Sequence, residues 1–368
     1  MDTHNDIGMV DFVAQWDDVA DDVTDAVRRV GASGWLVLGG EVQAFEADLA
    51  VVFGRRHAVG CASGLDAIEL ALRALGVGPG ERVVTTPLTA FATTLAVVRA
   101  GAIPVFVDTD PSGQMCPDAT RAAVARGPVA AVLPVHLYGH ACDAPALRRI
   151  ADQAGAPLIE DCAQAILNPR AGGTGAAAAV SFYPTKNLGA YGDGGAVLFD
   201  DDAPADAARR MRNYGQADRY EHVALGMNSR LDEVQAALLR TAMLPRLRAA
   251  TARRRAIAEH YTSALRHPDV SVVAPAGESV WHLFPVLVRG DRAAFQDHLR
   301  RHGVASNVHY PILCPDQPAL AGCDFEVSGD LVNARRLARG EVSLPLHPHL
   351  SDADVDRVVA ACNSWAPR

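Results

Sequence analysis

Over the first 240 residues, short Val-rich runs alternate with amphipathic stretches of helical length, a rhythm that fits a parallel sheet covered by helices. Ala58–Cys61, Arg82–Thr86, Pro104–Val107, Val129–Val135, Pro157–Glu160, Ala179–Tyr183 and Gly195–Phe199 read as strands. Gly64–Leu75, Ala90–Ala100, Asp118–Arg126 and Ala144–Ala154 read as the helices between them, with Gly76 and Gly155 placed as helix stops. From Leu231 to about Leu265 an Ala/Leu/Arg-rich run is long enough to bridge two domains as one helix, bent near Pro245. Beyond it, Val270–Val273 and Trp281–Val288 read as strands, and Asp291–His302, Leu331–Arg339 and Asp352–Cys362 as helices. The expected division is a large α/β domain over residues 15–245 and a smaller α+β domain over 246–368, with residues 1–14 packed near the latter. Arg246, Arg248, Arg253, Arg254 and Arg255 read as a solvated helix face, and so do Asp17, Asp18, Asp21, Asp22 and Asp25.

Charge and cysteine usage exclude several functions. Thirty-four basic against 43 acidic side chains leave a formal charge of -9, which argues against a nucleic-acid or anionic-membrane partner. No window reaches the ~18–20 apolar residues of a membrane span, and the opening MDTHNDIGMVDF lacks the basic start and apolar stretch of a signal peptide, so a cytoplasmic protein is expected. The 7 cysteines are scattered and never spaced as CxxC, which predicts reduced thiols, no disulfide framework and no metal site.

A single residue narrows the chemistry. Of the 34 basic residues only Lys186 is a lysine. Arginine stays protonated in proteins, whereas a desolvated lysine loses its proton and attacks carbonyls. The other reading is a surface lysine left by chance. Lys186 sits in SFYPTKNLGAYGDGG, at the carboxyl end of a candidate strand, where open α/β sheets bind ligands. Upstream, PLIEDCAQA ends another strand on Glu160 and Asp161. Standing alone, such a carboxylate is as readily a helix cap. Together, Asp161 and Lys186 supply what pyridoxal phosphate (PLP) requires: an amine for its aldehyde and an acid that keeps its ring nitrogen protonated. Ser63 and Gly64 open a helix whose free N–H groups suit the phosphate, and Phe91 in TTPLTAFATT can lie against the ring.

The segments SGWLVLGGEVQAFE, SGLDAIELALRALGVGPGE, GAIPVFVDTDP, LPVHLYGH, IEDCAQA, SFYPTKNLGAYGDGGA, GMNSRLDEVQAALLR, VHYP and SLPLHPHL occur in the order seen in the DegT/DnrJ/StrS family of PLP-dependent sugar aminotransferases, which the chain resembles over about residues 30–350. The resemblance implies the PLP-dependent transferase fold type I, with a mostly parallel seven-stranded sheet in the large domain, a smaller C-terminal domain, and a homodimer with shared active sites. It implies that Lys186 is the cofactor lysine, Asp161 the partner of the pyridine nitrogen, Gln164 the neighbour of the phenolic oxygen and Phe91 the stacked ring. Ser63, Gly64, Leu65 and Ser181 would hold the phosphate, with Asn228 reaching it from the other subunit. Tyr183, His309 and Tyr310 would line the sugar pocket.

Two departures stand out: Leu65 occupies a position where many members carry Thr, and AQAILNP replaces AQAxG in a shortened stretch before Ser181. The activity implied is transfer of an amino group from glutamate to a keto group of a nucleotide-linked deoxyhexose, the cofactor alternating with pyridoxamine phosphate. SGLDA, SFYPTKNLGA and the VWHLF and VHYP stretches are most similar to members acting at C3 of a dTDP-linked sugar. Action at C4, an inosose-type cyclitol acceptor and a non-catalytic PLP-binding regulator are the alternatives.

Overall fold

The computed structural model describes residues 6–366. Seven strands form its central sheet: β1 (His57–Cys61), β2 (Arg82–Thr85), β3 (Ile103–Val107), β4 (Ala131–Leu133), β5 (Ile159–Asp161), β6 (Ala177–Ser181) and β7 (Gly195–Phe199). Their order is β1-β7-β6-β5-β4-β2-β3, with β4 and β5 joined through the parallel bridges Val132–Leu158 and Val135–Asp161. Only β7 runs against its neighbours. Alternate residues of β6 and β7 serve opposite faces: Ala178, Val180, Ala196 and Leu198 enter one core, Ala177, Ala179, Val197 and Phe199 the other.

Strand ends differ from expectation for local reasons. β6 runs two residues earlier than its Val and aromatic residues suggest, because fully covered alanines allow the helix that follows β1 to pack closely on it. Tyr183 therefore lies beyond the strand, 52% exposed. β4 keeps only three of the seven residues expected, since Pro134 cannot donate to the ladder.

Helix α1 (Phe12–Ser33) buries Val19, Val23, Ala26 and Val30 and leaves its aspartates outside. Helix α2 (Gly40–Phe53), which the sequence did not announce, opens on two glycines and has no side-chain cap of its own. Glu233 supplies one from a distant part of the chain, accepting from the N–H groups of Gly39 (2.6 Å), Glu41 (2.9 Å) and Val42 (3.1 Å). Helices α3 (Gly64–Ala74) and α4 (Phe91–Arg99) cover the opposite face.

An exposed hairpin, β8 (Gln216–Asp218) and β9 (Glu221–His222), precedes the long helical run from Glu233 to Ala264. A π turn over Leu239–Met243 and a 3-10 turn over Leu244–Arg246 interrupt that run, where Pro245 has no N–H to continue the ladder. Its last segment, Leu247–Ala264, corrects the reading of the arginine cluster at one position, because Arg254 lies on the buried face with Leu247, Thr251, Ala258 and Tyr261 and is only 6% exposed.

Beyond it, β10 (Val270–Val272), β11 (Phe284–Val288) and a later strand form a small antiparallel sheet. Strand β12 (Glu326–Ser328) instead leaves this region and adds, parallel to β3, an eighth strand at the edge of the large sheet. The last strand, β13 (Glu341–Leu344), completes the small sheet beside β11. Ile7 bridges Val304 and enters the small core with Trp365; the first five residues of the 1–14 stretch lie outside the described residues.

Candidate active site

The ends of four strands and the start of a fifth meet at one edge of the large sheet. Ser63 follows β1, Thr85 closes β2, Asp161 closes β5, Ser181 closes β6 and Gly195 opens the reversed β7. Ser63 caps α3, its Oγ accepting from the Asp66 N–H at 3.1 Å. The N–H groups of Gly64 and Leu65 have no partner among the described residues, so a helix start with free donors faces this edge. Gly64 lies against Ser181; a Cβ there would stand 2.6 Å from that of Ser181. Likewise a Cβ on Gly195 would collide with the backbone of Ser63. At both positions the missing side chain is what lets the chain segments approach so closely at this edge.

Asp161 is 4% exposed. Its Oδ2 accepts from Thr93 Oγ1 (2.9 Å) and its Oδ1 from the Ala163 N–H (3.0 Å), while Thr89 extends the chain through Thr93 at 3.0 Å. Burial raises its pKa, and these two hydrogen bonds and the Lys186 charge act against that. Two residues before Thr93, Phe91 starts α4, half-buried. Half-buried Lys186 lies in the β6–β7 loop, its N–H bonded to the Tyr183 carbonyl at 2.8 Å. Desolvation brings its amine down to about 8, and Asp161 limits the fall.

Gln164 Oε1 accepts from the Tyr138 N–H (2.6 Å), and its Nε2 donates to Tyr310 Oη (3.3 Å). Tyr138 Oη donates to the His309 carbonyl (2.6 Å). His309 Nδ1 bonds Ser343 Oγ (2.8 Å), which donates to Glu341 (2.6 Å), and Glu341 also accepts from the His309 N–H (2.7 Å). Burial pushes Glu341 up to about 8 and, with the Lys186 charge, brings His309 down to about 4. Buried His282 lies within electrostatic reach of Lys186, Arg254 and His309.

The sequence-predicted residues thus divide. Ser63, Gly64, Leu65 and Ser181 form one cradle; Asp161 and Lys186 interact, and Gln164, His309 and Tyr310 share one network. Asn228 is exposed, and its neighbour Ser229 donates to Asp66 at 2.8 Å in the first turn of α3. Thr93, Tyr138, His282, Glu341 and Ser343 were not anticipated. Only Thr93 had a local signal, two residues beyond Phe91. Behind Asp161, buried His136, Glu160 and Cys162 bring their ligand atoms within 4.8 Å of one another. His136 Nδ1 accepts from the Cys142 N–H (3.0 Å), which leaves the ring proton on Nε2 toward Glu160 (2.9 Å). Three backbone N–H groups, from Gly172, Thr174 and Gly175, complete Glu160, so this cluster serves the fold.

These residues fit PLP: free helix N–H groups and two close-approach glycines for its phosphate, a buried carboxylate for its ring nitrogen, and a depressed amine that interacts with that carboxylate. Residues 17–363 match the model of the DegT/DnrJ/EryC1/StrS aminotransferase family. The chain belongs to that family. It is a PLP-dependent aminotransferase of fold type I.

The chain is similar to the "Erythromycin biosynthesis sensory transduction protein EryC1" of Saccharopolyspora erythraea, 42% identical with 98% of this chain and 100% of that one covered. It is also similar to the "dTDP-3-amino-3,4,6-trideoxy-alpha-D-glucose transaminase" of Streptomyces venezuelae, 40% identical with 98% and 97% covered. Among solved structures, S. venezuelae DesV in complex with a ketimine intermediate superposes with a TM-score of 0.93, at 40% identity over 99% of each chain.

Proposed function

We propose that this aminotransferase moves an amino group from L-glutamate to C3 of a dTDP-linked 3-keto-6-deoxyhexose, in the cytoplasmic assembly of an antibiotic amino sugar. The observation that carries the reading is the Lys186–Asp161 pair beside the α3 cradle, in a chain similar almost end to end to a transaminase named for a dTDP-3-amino sugar. Bound PLP supplies an electron sink at the substrate carbon. Asp161 holds the proton on the ring nitrogen, and Thr93 and Ala163 fix the orientation of its carboxylate. Ser63, Gly64, Leu65 and Ser181 bind the phosphate, Phe91 packs against the ring and Gln164 meets its phenolic oxygen. Lys186 Nζ, uncharged, takes the proton from the donor's α-carbon and, in the second half, delivers one to the ring carbon of the sugar. Tyr183, His309 and Tyr310 line the sugar pocket.

Residues 15–245 carry the cofactor and 246–368 cover it; the separate small core supports that division. Two chains form the active unit, each lending Asn228 to the other's phosphate. The exposed apolar residues Trp35, Leu36, Tyr220 and Leu225 support such an interface. Mixing Lys186→Ala chains with Asn228→Ala chains should restore activity, one intact site per hybrid. A fully active monomer would refute it.

The EryC1 name favours one second reading, a PLP-binding regulator. Mass spectrometry of products from a panel of nucleotide ketosugars with glutamate decides between them. An amino sugar carrying nitrogen at C3 supports the proposal; nitrogen at C4, an aminated cyclitol or no product rejects it.

A further inference from the structure

A cavity of about 410 Å³ borders the Lys186 loop, between α1, the helix Leu247–Ala264 and His347. Lys186, Asn187, Arg254 and His347 all line it. Most of its charged groups are already engaged. Asp11 accepts from the N–H groups of Val13 and Ala14, and Asp18 meets His349 at 3.5 Å. Arg246 pairs with Asp22 at 2.7 Å and Arg253 with Asp352 at 2.8 Å.

Arg254, 6% exposed, has no acidic partner among the described residues. Its Nη1 spans the carbonyls of Trp281 (3.4 Å), His282 (3.3 Å) and Leu346 (2.5 Å). Nε and Nη2, the edge able to grip a carboxylate with two parallel bonds, make no hydrogen bond among the described residues. His347, 5% exposed, leaves Nδ1 equally unpartnered. A buried cation without an anion and a buried ring nitrogen without a partner are both costly, and they border one cavity. Arg254 and Lys186 both act on the buried ring of His282, which links this cavity to the reactive amine.

We propose that this cavity seats a carboxylate of the amino donor. Arg254 Nε and Nη2 grip its two oxygens and the Nδ1–H tautomer of His347 adds a third bond, so the donor is selected by a carboxylate that the sugar acceptor lacks. The inference rests on the aminotransferase reading above for the identity of the ligand.

Glutarate, a dicarboxylate without a reactive amine, is the probe. Titrated calorimetrically into the PLP-loaded protein, it should bind wild type and lose about 10- to 100-fold in affinity in Arg254→Lys, which keeps the charge but not the two-pronged edge. Because Nη1 also ties three carbonyls, Arg254→Lys is checked by thermal melting. His347→Leu, which leaves the hydrogen bonds of Arg254 in place, should weaken glutarate independently. The two halves of a ping-pong reaction have separate kcat/KM values. That for the donor should fall by a similar factor and that for the ketosugar should stay within about twofold of wild type.

An equal loss with L-alanine and L-glutamate places the α-carboxylate here, and a loss with L-glutamate alone places the distal one; either supports the site. Folded variants with unchanged glutarate affinity, or a fall confined to the ketosugar, overturn it. A wild-type protein that accepts nitrogen from no donor would instead refute the proposed function, and glutarate binding would still decide this site.

Discussion

A chain with one lysine allows its reactive amine to be titrated without interference from any other side-chain amine. Burial brings Lys186 to about 8 from the ordinary 10.5, and Asp161 is the charge that stops it falling further. At pH 7 about one molecule in eleven then carries a free amine, against about one in three thousand for an ordinary lysine, a gain of about 300-fold in nucleophile. The assay is competitive labelling of cofactor-stripped protein with a trace acylating reagent between pH 6 and 11, read as modification of the peptide that contains Lys186. The N-terminal amine falls in another peptide and serves as the internal standard. Labelling should rise about tenfold per pH unit at first and level off above pH 8. In Asp161→Asn the midpoint should move lower, because the favourable charge is gone while the desolvation stays. Capture of added PLP, followed by its absorbance, should share the wild-type midpoint. A midpoint near 10, or an upward shift in Asp161→Asn, would refute the reasoning.

Turnover of Asp161→Asn should fall roughly a thousandfold with cofactor still bound, since an amide does not hold the ring proton; steady-state kinetics beside a cofactor stoichiometry check this. Gly64→Ala places a methyl 2.6 Å from the Ser181 Cβ, so PLP affinity measured by fluorescence quenching should drop at least tenfold while Gly76→Ala leaves it unchanged. Glu160 is buried, which alone would raise its pKa, but His136 and the N–H groups of Gly175 and Gly172 hold it at about 2. A carboxylate lowered on folding contributes stability above its unfolded pKa and loses it toward its folded one. About 3 kcal/mol should therefore disappear between pH 5 and 2 in denaturant melts of wild type, and a smaller share in Glu160→Gln.

Legibility in the sequence followed how local each cause is. Strands under helices had to be apolar on both faces, so seven Val-rich runs marked the large sheet, and the misplaced ends trace to Pro134 and to alanines that suit a crowded face. The cap of α2 was invisible because Glu233 lies nearly two hundred residues away. β12 and β13 are too short to show a period, and both are fixed by partners from distant segments. At the site, Asp161 and Lys186 stood out because their chemistry is rare at strand ends. Glu341 and Ser343 looked like any polar pair, and Arg254 was hidden among arginines that do face solvent. Burial alone separates it from Arg253 and Arg255, and burial is a property of the fold.

The attachment of β12 to β3 also bears on how the chain is made. Val105 waits for Glu326, roughly 220 residues later, before its strand has a second neighbour. While the ribosome works through that interval, β3 is an open rim of the sheet, as β1 is at the far side, offering backbone donors and acceptors to any extended segment nearby. The closing strand is held there by Arg82, whose guanidinium grips both oxygens of Glu326 at 2.8 and 2.9 Å. Synthesis that stops short of this strand leaves a nearly finished sheet that is sticky on one side, so yield in the cell depends on a three-residue segment far from the chemistry.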